Sequence, residues 1–200
     1  MLAEWTYKFW EHYYDWRWGI RTYAYVSEAD LGYGQSLNHY APMPYQVLFK
    51  VFDALPNEFR NGRLVDFGCG LGRVLVAAHR MGFASATGVE LSSKLCDLAQ
   101  PNIAGLPLEI VNQDASTYEI APNSNVFLFY NPFTGEPLRK VLDNIEESLR
   151  THPRPCAFIG YCIGSFEEAI QNRSNFKRLS LGHSVYPRAA WAVWTYSLAS

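Results

Sequence analysis

The sequence predicts an α/β domain of the doubly wound class, with helices on both faces of a largely parallel sheet. Three observations lead to this prediction. Short apolar segments alternate with segments whose apolar residues recur at helical spacing. A glycine-rich loop, residues 68–72, joins one apolar segment to a helix. A near-continuous apolar run, residues 125–130, is typical of a central parallel strand.

Length, composition and charge suit one globular domain and narrow its partners. The chain has 200 residues, of which 48% are hydrophobic, so it can bury a full-sized core. A net charge of −2 gives no broad attraction to nucleic acid, which makes such a partner unexpected. Residues 1–20 are broken by charges, and no apolar run approaches membrane-spanning length. We therefore expect a cytoplasmic protein without a membrane partner. Its four cysteines include no Cys-x-x-Cys pair, and in a cytoplasmic protein we expect them to be free, reduced thiols.

The first 39 residues differ from the rest, because aromatic residues and charges interleave there. Four aromatic residues fall on one face of a helix of about three turns: Trp5, Phe9, Tyr13 and Trp16. One interpretation is a helix packed on the domain, and the other is an aromatic lid or partner-binding surface near the substrate. Because Gly32 and Gly34 indicate a flexible connection, we divide the chain into a helical extension, 1–39, and a domain, 40–200.

The domain begins with a helix and the first β-α-β unit. Pro44 suits a first helical turn, and apolar residues then recur at helical spacing as far as Leu55. The apolar run Leu64–Phe67 predicts the first strand, and Leu71–Met81 the first helix after the loop. Residues 84–89 then predict the second strand.

The next elements continue the alternation. Residues 94–99 carry an inner face of apolar side chains and predict a helix, with an extension to Asn102 left open, and residues 106–111 predict the third strand. The fourth strand is the apolar run 125–130, and residues 137–150 form an amphipathic helix. The fifth strand is 156–161.

The last segment predicts a short helix and two alternating strands. The helix covers 165–171, and the strands cover 176–181 and 190–198. In the final strand Trp191 and Val193 should line one face, with Trp194 on the other.

The glycine loop favours a ligand with a positive group. Its spacing is Gly-x-Gly-x-Gly, which differs from the Gly-x-Gly-x-x-Gly fingerprint of dinucleotide sites. Asp66 just before the loop would repel a pyrophosphate and attract an amino group. The loop also lacks the Lys-Ser/Thr pair of phosphate-binding NTPases, and no Gly-x-Ser-x-Gly elbow of a hydrolase is present. The scattered histidines predict no metal site.

At Asp66–Gly72 the chain resembles class I S-adenosylmethionine-dependent methyltransferases. It is most similar to a group of small bacterial enzymes with Asp-x-Gly-x-Gly-x-Gly-Arg, Gly-Val-Glu-Leu-Ser and Tyr-Asn-Pro-Phe segments. The resemblance implies a Rossmann-like sheet of seven strands in the order 3-2-1-4-5-7-6, mostly parallel with one antiparallel strand. It also implies S-adenosylmethionine as cofactor and a small-molecule or protein methyl acceptor.

The resemblance further implies a set of cofactor-binding residues. Asp66 would face the ammonium group, and backbone at Gly68, Cys69 and Gly70 would lie beside the methionine portion. Tyr40, in a Tyr-x-Pro-x-Pro-Tyr segment, is a candidate contact to the methionine end, or else part of a structural helix start.

Two further strand ends carry carboxylates. Glu90 lies 18 residues beyond Gly72 and can accept both ribose hydroxyls; the alternative is an exposed acid that caps the next helix beside Leu91. Asp114 can accept the adenine amino group while the backbone of Ala115 reaches the ring; the alternative is a plain loop acid.

The segment after the fourth strand is where the acceptor is expected. Asn131 and Phe133 resemble the (Asp/Asn)-Pro-Pro-(Tyr/Phe) motif of amino-group methyltransferases, although the second proline is missing. The other interpretation is a turn that ends the strand. Two other functions stay open: a nucleic-acid amino-group methyltransferase, and a regulator that binds S-adenosylmethionine without catalysis.

Overall fold

The computed structural model describes residues 2–24, 26 and 40–197. The predicted connection at Gly32–Gly34 and the last predicted strand residue, Leu198, lie outside these residues. The helices are α1 Leu2–Trp18, α2 Tyr45–Asp53, α3 Arg73–Arg80, α4 Ser93–Ile103, α5 Gly135–Thr151 and α6 Gly164–Ile170. The strands are β1 Arg63–Phe67, β2 Ser85–Glu90, β3 Leu108–Asn112, β4 Ser124–Tyr130, β5 Cys156–Tyr161, β6 Phe176–Ser184 and β7 Ala189–Tyr196.

All seven strands form one sheet in the order β3-β2-β1-β4-β5-β7-β6. Strands β1 to β5 pair in parallel, and β7 runs antiparallel to both of its neighbours. The predicted fold class, strand order and single antiparallel strand are thereby confirmed. In this register Asp66 lies opposite Gly88, and Glu90 lies opposite Asn112, so the carboxyl ends of neighbouring strands meet at one edge.

Alternate residues of the central strands enter two separate cores. In β4, Val126 and Leu128 pack under the layer that contains α2 and α3, whereas Phe127 and Phe129 pack under α5 and α6. Burial on both faces explains why the sequence of β4 is almost continuously apolar. The predicted division of β7 is also observed, because Trp191 and Trp194 enter opposite cores.

Helix α3 begins two residues later than predicted. The prediction placed Leu71 in the helix, but Gly70 and Gly72 have φ angles of 52° and 79°. Such left-handed backbone cannot continue a right-handed helix, and glycine is the residue that adopts it at little cost. The loop therefore extends to Gly72, and Arg73 is the first residue of α3.

The aromatic face of α1 points outward. The helix spans 17 residues, longer than the predicted three turns, and Trp5 and Trp16 are 75% and 76% exposed. Phe9 and Tyr13 are exposed beside them. The opposite face packs on α2, where the ring centroid of Tyr14 lies 4.8 Å from that of Phe49. Helix α1 therefore packs on the domain through the face opposite to the aromatic stripe, and the stripe itself is left exposed.

Two carboxylates on the inner face of α1 explain this orientation. Glu11 and Asp15 are buried and pair with Arg73, which is itself buried at the start of α3. The Arg73 guanidinium also donates to Thr22 Oγ1 at 2.6 Å and to the Met43 carbonyl at 3.2 Å. Because an unpaired buried charge is strongly unfavourable, the two acids have to face Arg73.

Asp15 ties this network to the following backbone and to α2. Its carboxylate accepts from the backbone N–H groups of Thr22 and Tyr23, at 2.6 and 2.8 Å. It also accepts from the Tyr45 hydroxyl at 2.7 Å, and the Arg73 guanidinium lies 4.2 Å from the centre of the Tyr45 ring. Helix α1 is thus connected to α2 and α3 by satisfied buried polar groups.

The Asp15→Ala variant should be much less stable than the wild type. Removing one member of a buried ion network costs roughly 3–5 kcal/mol, because the remaining charge stays buried with fewer partners. Chemical denaturation followed by circular dichroism measures the change in the free energy of unfolding. Glu4→Ala is the control, since Glu4 pairs with Lys8 on the exposed side of the same helix and its loss should barely move the midpoint. Equal losses in the two variants would contradict this account of α1.

Candidate active site

A cavity of about 260 Å³ opens at the carboxyl ends of the central strands. The three predicted carboxylates, Asp66, Glu90 and Asp114, all line it. The other predicted site residues that line it are Tyr40, Gly68, Cys69, Leu91, Ala115, Asn131 and Phe133. Gly70 does not, because the Tyr40 ring covers it. The structure therefore brings all but one of the predicted residues to one cavity.

The glycines of the loop make room for the protein's own side chains. A Cβ atom on Gly68 would lie 2.6 Å from the Pro132 Cβ, and one on Gly70 would lie 2.3 Å from the Tyr40 ring. The Gly68 N–H donates to the Val89 carbonyl at 2.8 Å, which fixes the loop to the end of β2. The missing side chains of these glycines therefore leave room for Pro132 and Tyr40 to pack against the loop, as well as for a ligand.

Glu90 is a buried member of the loop structure. Its Oε2 accepts from the Gly70 N–H at 3.0 Å, and its Oε1 accepts from the Ser92 N–H at 2.9 Å. Helix α4 has its own cap, because the Ser92 hydroxyl accepts from the Leu95 N–H at 3.3 Å. Glu90 is thus neither exposed nor the cap of that helix, and the alternative interpretation of it is wrong.

Asp66 is a buried carboxylate with a strongly shifted pKa. It is 2% exposed, and no hydrogen bond to its side chain occurs among the residues that the structure describes. Burial, together with the negative charge of Glu90, raises its pKa to about 8. A cation in the cavity would stabilise the ionised form, because opposite charges interact strongly where water is excluded. The cavity is therefore suited to a ligand with a positive group.

Asp114 and Ala115 lie at the end of the cavity beyond β3. Asp114 is exposed, and its Oδ1 accepts from the Ser116 N–H at 2.8 Å, which caps the short 3-10 turn Ala115–Thr117. Beside it, Gln113 lines the cavity and is held by the carbonyl of Thr117 at 3.0 Å. This wall of the cavity therefore presents both hydrogen-bond donors and hydrogen-bond acceptors.

Tyr40 joins the cavity to the N-terminal segment. Its ring covers Gly70, and its hydroxyl donates to the Thr22 carbonyl at 2.8 Å. Burial raises the pKa of this phenol, so it stays protonated and remains a donor. Tyr40 therefore lies beside the predicted methionine end, with its hydroxyl already committed to Thr22.

Backbone in an unusual conformation follows β4. Asn131 has a φ angle of 42°, in the left-handed region that is uncommon for residues with a side chain. The Tyr130 ring before it lies 4.9 Å from the Tyr161 ring, and Phe133 after it lines the cavity. Such backbone is found where the surrounding structure fixes a side chain in place, often at functional sites.

The sequence analysis missed the residues that support the glycine loop from the side of α1. Arg73, with its partners Glu11 and Asp15, was not among the predicted site residues, although Arg73 lines the cavity. The available signal was its place directly after the glycine loop and the spacing of the two acids, four residues apart on a helix.

The described part of the chain contains neither a metal-binding cluster nor a membrane-spanning helix. Over residues 2–24, 26 and 40–197, no cluster of His, Cys, Asp or Glu could hold a metal ion. Within the same ranges, no helix has the length and apolar character needed to cross a membrane.

Comparison with known proteins is consistent with this site. Residues 64–152 match the family model described as a methyltransferase domain. Together with the Rossmann-like fold, this match supports the class I methyltransferase superfamily, an S-adenosylmethionine-dependent enzyme, and S-adenosylmethionine as its cofactor. A comparison with curated proteins gave no match.

Several solved structures share the fold of this methyltransferase. An RNA methyltransferase from Salinibacter ruber, in complex with S-adenosyl-L-homocysteine, is 19% identical with a TM-score of 0.58, over 80% of this chain and 96% of that one. A ribosomal protein L11 methylase from Lactobacillus delbrueckii is 14% identical with a TM-score of 0.60, over 76% and 78%. Magnesium protoporphyrin IX methyltransferase from Synechocystis, with bound SAM, is 15% identical with a TM-score of 0.57, over 76% and 79%. At these identities the similarity concerns the fold.

Asp66 should make the ligand-free methyltransferase less stable as the pH rises. Its pKa is 3.8 when unperturbed and about 8 in the fold, so between these values the folded state binds the extra proton. The stability that this proton contributes is present at acid pH and is lost as the pH rises to about 8. Asp66→Asn cannot lose it, so its advantage over the wild type should grow with pH, by at most about 1.4 kcal/mol per pH unit.

Denaturation of both proteins across this pH range measures the difference. Asp97→Asn on the exposed side of α4 is the matched control and should follow the wild type. A constant difference between Asp66→Asn and the wild type would show that Asp66 does not titrate in this window.

Proposed function

We propose that this enzyme binds S-adenosylmethionine in the cavity and transfers its methyl group to a small-molecule or protein acceptor. The observation that carries the proposal is the convergence of Asp66, Glu90 and Asp114, from three neighbouring strand ends, on one cavity. A ligand with an ammonium group, a ribose and an adenine offers a partner to each of them.

The environment of Asp66 is the feature of the cavity that best matches this cofactor. A carboxylate that is buried without a hydrogen bond among the described residues needs a cation to be ionised at neutral pH. The ammonium group of the methionine portion would supply that charge. Backbone at Gly68 and Cys69 would lie beside the same portion, and the Tyr40 ring would close that end.

Glu90 and Asp114 would bind the other two parts. The Glu90 carboxylate lies at the end of β2 between the loop and Leu91, where ribose hydroxyls could donate to it. Asp114 would accept from the adenine amino group, and the backbone of Ala115 would meet the ring edge. Leu91 would cover an apolar side of the adenosine.

The acceptor would lie near Asn131 and Phe133. The bound cofactor would supply a methyl carbon activated by its positive sulfur. The contribution of the protein is then position and electrostatics, with the Asn131 side chain orienting the acceptor and the Phe133 ring packing against it. Burial raises the pKa of Tyr130 beside them, so its phenol stays protonated and does not act as a base at neutral pH.

The narrower parts of the proposal concern organisation and context. We place the methyltransferase domain at residues 40–200 and treat 1–39 as an extension whose helix α1 completes the support of the loop through Arg73. The motif residues favour the small bacterial group. The four free cysteines favour a reducing compartment, for which we propose the cytoplasm.

Methyl transfer from labelled S-adenosylmethionine separates this proposal from its alternatives. Label in small molecules or proteins of a lysate supports it. Label in nucleic acid, with binding that weakens steeply with salt, would instead indicate the amino-group enzyme suggested by Asn131-Pro132-Phe133. Binding without transfer to any fraction would indicate a regulator.

Cofactor binding should release a proton that comes from Asp66. The ammonium group favours ionised Asp66, so affinity for S-adenosylhomocysteine should fall as the pH drops below about 8, by up to about tenfold per pH unit. Calorimetry in buffers of different ionisation enthalpy measures the protons released. Asp66→Asn should bind more weakly and release none. Failure of the wild type to bind would overturn the proposed cofactor site.

Glu90→Gln should weaken binding of S-adenosylhomocysteine by about tenfold, since a charged acceptor is replaced by an amide. Glu147→Gln on the exposed face of α5 is the control and should bind like the wild type. Because Glu90 also holds the Gly70 N–H, the 2′-deoxy analogue provides the decisive comparison. The analogue should lose affinity for the wild type and less for the variant. An equal loss in both would remove the ribose role of Glu90.

A further inference from the structure

The outer face of α1 carries an aromatic ridge, formed by the exposed side chains of Trp5, Phe9, Tyr13 and Trp16. These residues are at spacings of four, four and three, so they follow one line along the helix. At about 1.5 Å per residue, α1 is about 25 Å long. Large exposed apolar patches on a soluble domain usually mark an interaction surface.

The charges beside the ridge are mainly positive. Lys8 and Arg17 are exposed and lie on opposite sides of it, and Arg21 is exposed in the segment that follows. The acids of α1 are not available to a partner in the same way. Glu11 and Asp15 are buried against Arg73. Glu4 pairs with Lys8 at 2.8 Å, so these two charges balance. Arg17 and Arg21 supply the net positive charge of this face. The outer face therefore combines aromatic rings with cations.

We propose that this ridge docks α1 parallel to the surface of an anionic lipid bilayer. Tryptophan and tyrosine favour the headgroup level of a bilayer, and flanking lysine and arginine are attracted by anionic headgroups. A helix that lies on a membrane needs no run of spanning length. The proposal is therefore compatible with the finding that no helix in the part of the chain described by the structure could span a membrane, although the sequence predicted no membrane partner.

Two other occupants fit the ridge less well. In a two-fold contact between copies, the ridge and its flanking cations would meet the same cations, while Glu11 and Asp15 stay buried. Single-stranded nucleic acid would need free ring faces on which bases stack, along a positively charged groove. Here the Phe9 and Tyr13 rings already stack on each other, with centroids 5.9 Å apart and planes 14° apart.

The test measures binding of the full chain to vesicles of phosphatidylcholine with and without phosphatidylglycerol. Flotation and the tryptophan emission shift should show binding to the anionic vesicles, weakening with salt. Trp5→Ser combined with Trp16→Ser should reduce partitioning by at least about tenfold. Lys8→Gln and Arg17→Gln should each reduce it by about fivefold.

Leu179→Ser combined with Leu181→Ser is the matched control, because both leucines are exposed on β6 and should not matter. Circular dichroism and S-adenosylhomocysteine binding show whether each variant is folded. If the tryptophan variant did not fold, the arginine and lysine variants would carry the test.

Three results would overturn the proposal. One is no binding of the folded wild type to anionic vesicles. The second is binding that the tryptophan and charge changes leave intact. The third is a ridge-dependent dimer in sedimentation, or ridge-dependent binding of a single-stranded RNA oligonucleotide, without binding to vesicles. None of these readouts depends on methyl transfer.

Discussion

The burial of Arg73 is the constraint on which much of the structure depends. Its guanidinium lies at the start of α3, directly after the glycine loop, and it can remain charged there only with Glu11 and Asp15 beside it. Because those acids belong to α1, helix α1 has to pack beside the glycine loop for Arg73 to be paired. Tyr40 strengthens the connection, since its ring lies on Gly70 and its hydroxyl on Thr22.

The same physics has the opposite outcome a few residues earlier. Asp66 is as deeply buried as Arg73, yet no hydrogen bond or cation from the described residues compensates it. The fold gives the buried Arg73 several polar partners and gives the buried Asp66 none among the described residues. This difference calls for an explanation. Both residues line the cavity, but the Arg73 guanidinium is already paired with Glu11 and Asp15, whereas the Asp66 carboxyl has no such partner among the described residues. This contrast separates a binding group from a structural one.

The fold class could be predicted from the sequence because its signals are local, whereas the strand order and the roles of the site residues came from the resemblance to class I methyltransferases. The apolar run of β1, the glycine loop and the acids that follow β2 and β3 need only the rule that parallel strands end at one edge. The orientation of α1 could not be predicted in this way. A stripe of four aromatic residues outweighs two acids in any hydrophobic pattern, and the partner of Glu11 lies 62 residues further along the chain. Long-range charge pairing is not visible in periodicity.

The aromatic ridge is a consequence of that pairing. A helix on the surface of a domain can bury only one face. In α1 the buried face is the one that carries Glu11 and Asp15, because these residues pair with Arg73. The rings of Trp5 and Trp16 are then left in water, which is unfavourable for apolar surface of this size. Polar residues there would preserve the Arg73 network equally well, so the network does not explain the rings. A surface that the fold does not require, and that water disfavours, is best explained by something that binds it.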